Sequence, residues 1–313
     1  MNARAICCVA AMMGLLLGCT GQSAARVPEV VLSPSPTPFE QVIAMTVAPK
    51  ASATPTPEST PTPEPTAAPT STPEPTATPE PTPEPITQEM LDSGMFDAFY
   101  DETVFVGDSL TLQFKNYIRA ERAKQEGVLG TAQFLGAVGM NASFASTNRA
   151  NPEGVTFTYR GNACTLTYAL RAMEAKRAVI LLGINDIFRN RETVKESFRT
   201  LVGVIQTYCP DTEIVILGFL PVRDRYCREH SIDIDEWNAF SNEVGEIVQS
   251  CGATFLSFAS ELMDENGYLD LRYSSDNNYH LNEEGNAVWL NFLRRYAASQ
   301  MHPGAEILTE PAA

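Results

Sequence analysis

Three residues that could together carry out acyl-transfer chemistry lie far apart along this chain, each beside a break in an ordered pattern. Ser109 follows the apolar run Val104–Val106 and a Gly-Asp pair in TVFVGDSLTLQF. His280 lies in SSDNNYHLNEEG, four residues after Asp276. A serine that attacks a carbonyl needs a base to take its proton and an acid to orient that base. The three residues are therefore a candidate nucleophile, base and acid.

Each of these residues also has an ordinary structural interpretation. Ser109 stands where a predicted strand turns into a predicted helix, and Ser and Asp are preferred helix caps. His280 is one of only three histidines; His230 lies in a segment of mixed charge and His302 near the end of the chain. A single histidine is often structural. The nearby aspartate and the early serine make His280 the best candidate for the base.

Asn185 is a further candidate, in ILLGINDIF. It follows an apolar strand, and an amide at the end of a strand can donate to the oxyanion that forms during acyl transfer. Taken alone, Asn185 fits a helix cap or an Asx-turn equally well.

The elements that must position these residues alternate between strand and helix. Amphipathic helical stretches separate apolar runs typical of strands, which lie near residues 103–107, 131–138, 177–183, 213–221 and 253–258. Such alternation predicts βαβ units and an α/β fold with a parallel sheet covered by helices on both faces. Sites in these sheets form at the carboxyl ends of strands. Ser109, Gly139 and Asn185 each follow a predicted strand end.

Three segments in this order, FVGDSL, LLGIND and the late Asp…His pair, resemble the SGNH (GDSL-type) hydrolases over essentially all of residues 100–296. The resemblance implies a three-layer α/β/α sandwich with a mostly parallel, flavodoxin-like central sheet. It also implies ester hydrolysis or acyl transfer without metal or cofactor. By this resemblance Ser109 is the nucleophile, His280 the base and Asn185 the amide of an oxyanion hole, completed by backbone N–H groups of Ser109 and a loop glycine.

Two assignments within the resemblance stay open. We favour Gly139 over Gly136 as the loop glycine, because the family glycine follows the second strand; both could simply permit a tight turn. The family acid usually lies three residues before the histidine, where this chain has Asn277. A one-residue bulge would let Asp276 reach His280, which is the interpretation we favour. The alternatives are that Asn277 orients the ring, that the enzyme works as a dyad, or that the domain is inactive.

The N-terminus predicts an export signal. MNARAICCVAAMMGLLLGC has one Arg before an apolar run, Ala5–Leu17, which has the length of a signal h-region and is short for a membrane span. The run ends in LLGC, which resembles the lipobox of bacterial lipoproteins. Residues 1–18 would then be the signal peptide and Cys19 the lipidated residue that anchors the chain to the membrane outside the cytoplasm. The alternative is a plain signal peptide that contains a cysteine.

Residues 19–85 predict a disordered stalk rich in Pro, Thr and Glu. The segment Ala53–Pro85 has no aromatic residue and a proline at nearly every second or third position, so it favours extended polyproline II and cannot bury a core. The hydrolase domain is then predicted over 86–300, with a flexible tail over 301–313. The net charge of −16 argues against nucleic acid and anionic lipid surfaces as partners.

Two features of the domain remain undecided from the sequence. Cys164, Cys209, Cys227 and Cys251 have no zinc-like spacing, and outside the cytoplasm they could form two disulfides or stay buried as thiols. The segment RDRYCREH, residues 223–230, predicts a solvated loop, with a lid facing the substrate as the alternative.

These features together predict an extracytoplasmic serine esterase. Its expected substrates are acylated small molecules or glycans, and its expected reaction is removal of small acyl groups, acetyl first among them, from polysaccharide. One alternative is an acyltransferase that uses the same site to load a glycan. The other is a non-catalytic, glycan-binding surface module, whose only support is the displaced acid.

Overall fold

Strands and helices alternate through residues 84–151 and 153–308, the part of the chain that the computed structural model describes. The strands are β1 (Ile86–Thr87), β2 (Thr103–Gly107), β3 (Gln133–Gly136), β4 (Phe157–Tyr159), β5 (Asn162–Cys164), β6 (Arg177–Leu181), β7 (Glu213–Leu217), β8 (Thr254–Leu256) and β9 (Ile307–Leu308). The helices are α1 (Gln88–Asp92), α2 (Ser109–Lys124), α3 (Ala142–Ser146), α4 (Leu166–Ala172), α5 (Arg191–Tyr208), α6 (Asp224–His230), α7 (Ile234–Ser250) and α8 (Glu283–Met301). The predicted signal peptide, Cys19 and the stalk as far as residue 83 lie outside the described residues.

The central sheet has five parallel strands in the order β3-β2-β6-β7-β8. Counted by their own order of appearance, these strands run 2-1-3-4-5, which is the flavodoxin-like order. The predicted α/β fold is therefore confirmed. The direction of winding reverses between β2 and β6, and in such sheets the binding crevice lies at the carboxyl ends of the strands beside this point. The loops after β2 and β6 carry Ser109 and Asn185.

Helices cover both faces of the sheet, and aromatic side chains fill the space beneath them. On one face α2 packs against α8, and the ring of Phe114 stacks on that of Trp289 with centroids 4.0 Å apart. On the other face α5 packs against α7, where Phe219 stacks on Trp237 at 4.8 Å. All five residues of β2 are buried, as expected of a central strand covered on both sides.

Three long helices begin at polar side chains that satisfy their first backbone N–H groups. Asp108 caps α2, Asn190 caps α5 and Asn282 caps α8, each by accepting a hydrogen bond from an amide of the first turn. These caps fix where each helix starts. Two of them lie within three residues of a candidate catalytic residue, Ser109 or His280.

The prediction of a solvated loop at residues 223–230 is wrong, because this segment forms α6. Two ion pairs at i,i+4 spacing support the helix: Arg225–Glu229 at 2.7 Å and Asp224–Arg228 at 2.6 Å. The mixed charge that suggested a loop is the outer face of a short helix.

The four cysteines of the domain are free thiols. Cys164, Cys209 and Cys227 are buried, and burial raises the pKa of all three, that of Cys227 to about 11. Cys251 is half-buried. Of the two possibilities left open by the sequence, the structure has the thiols and not the disulfides.

The two ends of the described chain meet. β1 pairs in parallel with β9, with Ile86 opposite Ile307. The tail predicted to begin at residue 301 is thus part of the fold as far as Leu308, and residues 309–313 lie outside the described part. Within the described residues no helix is both long and apolar enough to cross a membrane.

Candidate active site

Ser109 is the first residue of α2, directly beyond the carboxyl end of β2. The cap of this helix is Asp108, whose Oδ1 accepts the Leu110 N–H at 2.9 Å. The Ser109 hydroxyl is therefore not engaged in capping. Its Oγ lies 3.0 Å from His280 Nε2, within hydrogen-bond distance.

His280 and Asp276 are joined despite their unusual spacing. His280 Nδ1 lies 2.6 Å from Asp276 Oδ2. The extra residue, Asn277, takes a left-handed backbone with φ +57°, a conformation that Asn tolerates better than most residues. An ionised carboxylate can only accept, so the imidazole proton lies on Nδ1 and leaves Nε2 free to accept from Ser109.

The Asp276 carboxylate is held by the backbone of its own loop. Its Oδ1 accepts N–H groups of Asn278 at 2.8 Å, Tyr279 at 3.2 Å and His280 at 3.2 Å. Partial burial raises the pKa of Asp276, but the hydrogen bonds from His280 and from these amides outweigh it, so the pKa falls below its ordinary value. Asp276 is therefore ionised at neutral pH and can stabilise a protonated His280.

Arg223, the residue before α6, fixes the other side of this loop. Its Nε donates to Asn277 Oδ1 at 3.2 Å, and its backbone N–H donates to the Asn278 carbonyl at 2.7 Å. Its guanidinium also donates to the Leu269 carbonyl. The sequence did not indicate this role, because the mixed charge around Arg223 favours a solvated loop.

Asn185 lies in a 3₁₀ turn after β6, bonded to both neighbouring loops. Its Nδ2 donates to Asp108 Oδ2 and to the Met140 carbonyl, each at 2.9 Å. Gly139 lies in a turn closed by the Met140 N–H and the Ala137 carbonyl at 3.0 Å. The three loops after β2, β3 and β6 are thus brought together. Both N–H bonds of the Asn185 amide are in use, so an oxyanion would have to share or displace one acceptor.

The two candidate glycines serve different purposes. Gly136 ends β3 opposite Gly107, and a side chain there would collide with Leu112 at 2.8 Å. Gly139 has φ +75°, and an added Cβ would meet only Val155 at 3.6 Å. Close packing against Leu112 therefore requires a glycine at position 136, whereas the left-handed backbone of an open loop favours a glycine at position 139.

Two buried aspartates support this edge of the sheet. Burial raises the pKa of Asp108 to about 7 and that of Asp186 to about 6. Asp186 Oδ2 accepts the Ala142 N–H at 3.0 Å and so fixes the start of α3. The sequence pattern assigned no role to either carboxylate, although the position of Asp108 beside Ser109 was a usable signal for a cap.

A serine, histidine and aspartate joined in this order at the switch point of a flavodoxin-like sheet are the arrangement of a serine hydrolase, and the family match that follows makes it one that acts on esters. The chain belongs to the GDSL-like Lipase/Acylhydrolase family, which matches residues 105–288. That match includes all of the candidate site residues described above.

Several solved structures are similar to this chain. A protein from Streptococcus pneumonia is 19% identical to this chain, and the alignment covers 67% of this chain and 92% of that protein with a TM-score of 0.48. A GDSL-like lipase from Bacteroides thetaiotaomicron has 12% identity, with 63% and 88% covered and a TM-score of 0.46. The acetyl xylan esterase AlAXEase has 12% identity, with 63% and 98% covered and a TM-score of 0.46. No curated protein matches the chain.

We expect the stability of the protein to fall as the pH rises through the range in which Asp108 ionises. The pKa of Asp108 is raised from 3.8 to about 7 in the folded state, so between these values the folded chain binds a proton that the unfolded chain has lost. The free energy of unfolding then decreases with rising pH. Urea unfolding at pH 4.5 to 8 should show a steeper decrease for the wild type than for Asp108→Asn. The exposed control Asp211→Asn should keep the wild-type slope; equal slopes in all three proteins would contradict the prediction.

The acid that orients His280 should be Asp276 and not Asn277. Asp276→Asn leaves the loop intact but favours the wrong imidazole tautomer, and a comparable change in a related triad lowers turnover about 10⁴-fold. Asn277→Ala removes the contact with Arg223 and places an Ala in the left-handed backbone, but it leaves the acid in place and should cost less than about tenfold in the same assay. The measurement is kcat for p-nitrophenyl acetate. A larger loss in Asn277→Ala than in Asp276→Asn would show that the assignment is wrong.

Proposed function

We propose that this protein is a serine esterase that removes small acyl groups, acetyl above all, from carbohydrate outside the cytoplasm. The observation that carries the proposal is the continuous contact from Ser109 through His280 to Asp276, with distances of 3.0 Å and 2.6 Å. We further propose that a lipid on Cys19 anchors the chain to the membrane and that residues 19–85 form a stalk.

The proposed reaction begins with proton transfer from Ser109. His280 Nε2 takes the hydroxyl proton as Oγ bonds to the ester carbonyl carbon, and the Asp276 carboxylate stabilises the imidazolium that results. The C–O bond to the alcohol then breaks, and His280 gives its proton to the leaving oxygen. In the second half His280 takes a proton from water as the water oxygen bonds to the acyl carbon. The bond from this carbon to Ser109 Oγ then breaks, the free acid leaves, and His280 returns the proton to Oγ.

The oxyanion formed in each half is placed near the start of α2. The first amides of a helix have no partner within it and carry its positive dipole end, so the Ser109 N–H is suited to bind a negative oxygen. We assign the remaining donors to the Gly139 N–H and the Asn185 amide. Asp108 and Met140 already accept both N–H bonds of the Asn185 amide and hold it in place before the substrate arrives. The amide then reaches the oxyanion by sharing one N–H with it or by giving up one of these acceptors.

Sequence features support the carbohydrate substrate and the location. The predicted export signal and stalk favour a domain outside the cytoplasm, and the net charge of −16 disfavours nucleic acid and anionic lipid as substrates. The short distance between Asp276 and His280 speaks against the non-catalytic module, which was supported only by the displaced acid. Transfer to a sugar instead of water would use the same residues.

Replacement of the nucleophile tests the esterase. Ser109→Ala in the full-length protein should lower kcat for p-nitrophenyl acetate by at least about 10³-fold, because the proposed acyl-enzyme forms on the Ser109 hydroxyl. Ser260 is exposed, so Ser260→Ala provides a matched control that should keep wild-type activity. Release of acetate from acetylated xylan, followed by chromatography, extends the test to carbohydrate. Undiminished activity in Ser109→Ala would overturn the proposal.

Replacement of Cys19 tests the anchor separately. If Cys19 is lipidated, the wild-type chain should partition with bacterial membranes and incorporate labelled palmitate. Cys19→Ala should lose the label, because the thiol is the only attachment point proposed. Cys8→Ala, which changes a cysteine inside the predicted signal, is the control and should retain the label. Labelling of the Cys19→Ala protein at the wild-type level would exclude this site.

A further inference from the structure

Four aromatic side chains follow one another outward from His280 in tilted or edge-to-face contacts. This group, here called the aromatic shelf, consists of Tyr279, Tyr226, His230 and Phe188. Ring centroids are 4.5 Å apart between His280 and Tyr279 and 5.3 Å between Tyr279 and Tyr226. They are 4.4 Å apart between Tyr226 and His230 and 5.4 Å between His230 and Phe188. The shelf thus runs without a gap from the base to the protein surface.

Three separate segments of the chain build the shelf. Tyr279 belongs to the loop that carries the base. Tyr226 and His230 lie four residues apart on one side of α6, a spacing that places both side chains together. Phe188 follows the turn that carries Asn185, and it is 63% exposed. An isolated exposed aromatic residue needs no explanation, but this one continues a surface that starts at the base.

The outer end of the shelf borders a small polar cavity. Phe188 and His230 form part of the wall of this cavity, whose volume is about 190 Å³. Arg191, Asp233 and Glu236 also line it, and Arg191 pairs with Glu236 at 2.7 Å. Charged groups of this kind bond to hydroxyls, whereas an aliphatic acyl chain would cover them without offering a partner.

The shelf begins beside the ring that would protonate the departing alcohol. His280 delivers its proton to the oxygen of the departing alcohol, so that oxygen must be near the imidazole. The shelf begins at the ring next to His280. Of the oxyanion donors assigned above, Gly139 comes from the loop after β3, which contributes no residue to the shelf, whereas Asn185 shares the loop after β6 with Phe188.

We propose that the aromatic shelf binds the sugar that forms the alcohol part of the ester, and that the cavity receives hydroxyls of a neighbouring sugar unit. Sugar rings have apolar C–H faces and polar edges, which match aromatic faces beside charged groups. This inference rests on the proposed esterase function and specifies its substrate class. It makes Phe188 a specificity-determining residue.

Two substrates with the same acyl group test the shelf. Acetate release by the full-length protein is measured from fully acetylated xylobiose and from ethyl acetate, whose alcohol has no ring. The ratio of kcat/KM for the sugar ester to that for ethyl acetate should fall about tenfold in Phe188→Ala, because the stacked face is lost. Phe188→Tyr should restore the wild-type ratio. Phe188→Leu, which is apolar but not flat, should not restore it.

A matched control distinguishes loss of the shelf from the loss of any exposed aromatic ring. Tyr168 on α4 is 54% exposed and lies outside the shelf, so Tyr168→Ala should keep the wild-type ratio. An unchanged ratio of the two kcat/KM values in Phe188→Ala would show that the shelf does not bind the sugar, without contradicting the proposed esterase function. A loss that appears with ethyl hexanoate and not with the sugar ester would also overturn it, since the shelf would then hold the acyl chain.

A binding measurement tests the shelf independently of catalysis. If the wild type releases no acetate, the proposed esterase function is wrong, but sugar binding by the shelf can still be measured. Titration of Ser109→Ala with xylohexaose and with chitohexaose, followed by NMR, should show saturable binding of at least one. The double variant Ser109→Ala/Phe188→Ala should bind that sugar about tenfold more weakly. Absence of binding to both sugars, or equal binding by the two proteins, would overturn the shelf.

Discussion

The buried Asp108 carboxylate connects the loops from which the site is built. One oxygen caps α2 through Leu110 and the other holds the Asn185 amide, which in turn holds the Met140 carbonyl. The strands at this edge are parallel, and the backbone hydrogen bonds between them stop where the strands end. The loops that follow are therefore not joined to one another by the sheet. A short polar side chain supplies the missing connection. Burial makes that connection sensitive to protonation, since it raises the pKa of Asp108 to about 7.

The candidate base, His280, is positioned in a different way, by a loop without regular secondary structure. Asp276 accepts three backbone N–H groups from the residues between it and His280 or from His280 itself, so acid and base move as one unit. Arg223 ties the same loop to the start of α6. This support holds the histidine near its reactive position, so less conformational entropy is lost when serine and histidine come together at each turnover.

Much of the fold could be predicted because its central strands are buried on both faces and therefore appear as continuous apolar runs. The hairpin of β4 and β5 was missed, since strands of three residues leave too short a pattern. Helix α6 was missed because its charges alternate in sign on a solvated face. Composition could not distinguish it from a loop.

The site could be predicted as a set of residues but not as a set of contacts. Ser109, Asn185 and His280 were identifiable from their order along the chain and their resemblance to a family. The choice between Asp276 and Asn277 depends on one left-handed residue, which no periodicity indicates. The roles of Asp108 and Arg223 depend on distances across the fold, which only tertiary structure determines.

The pairing of β1 with β9 has a consequence for the direction in which the domain faces. Helix α8 starts three residues after His280 and runs for 19 residues, about 28 Å at 1.5 Å per residue, before the chain reaches β9. The chain therefore enters the domain at the end opposite Ser109 and His280. Residues 84 and 85, which precede Ile86, are therefore attached at the end of the domain that points away from Ser109 and His280.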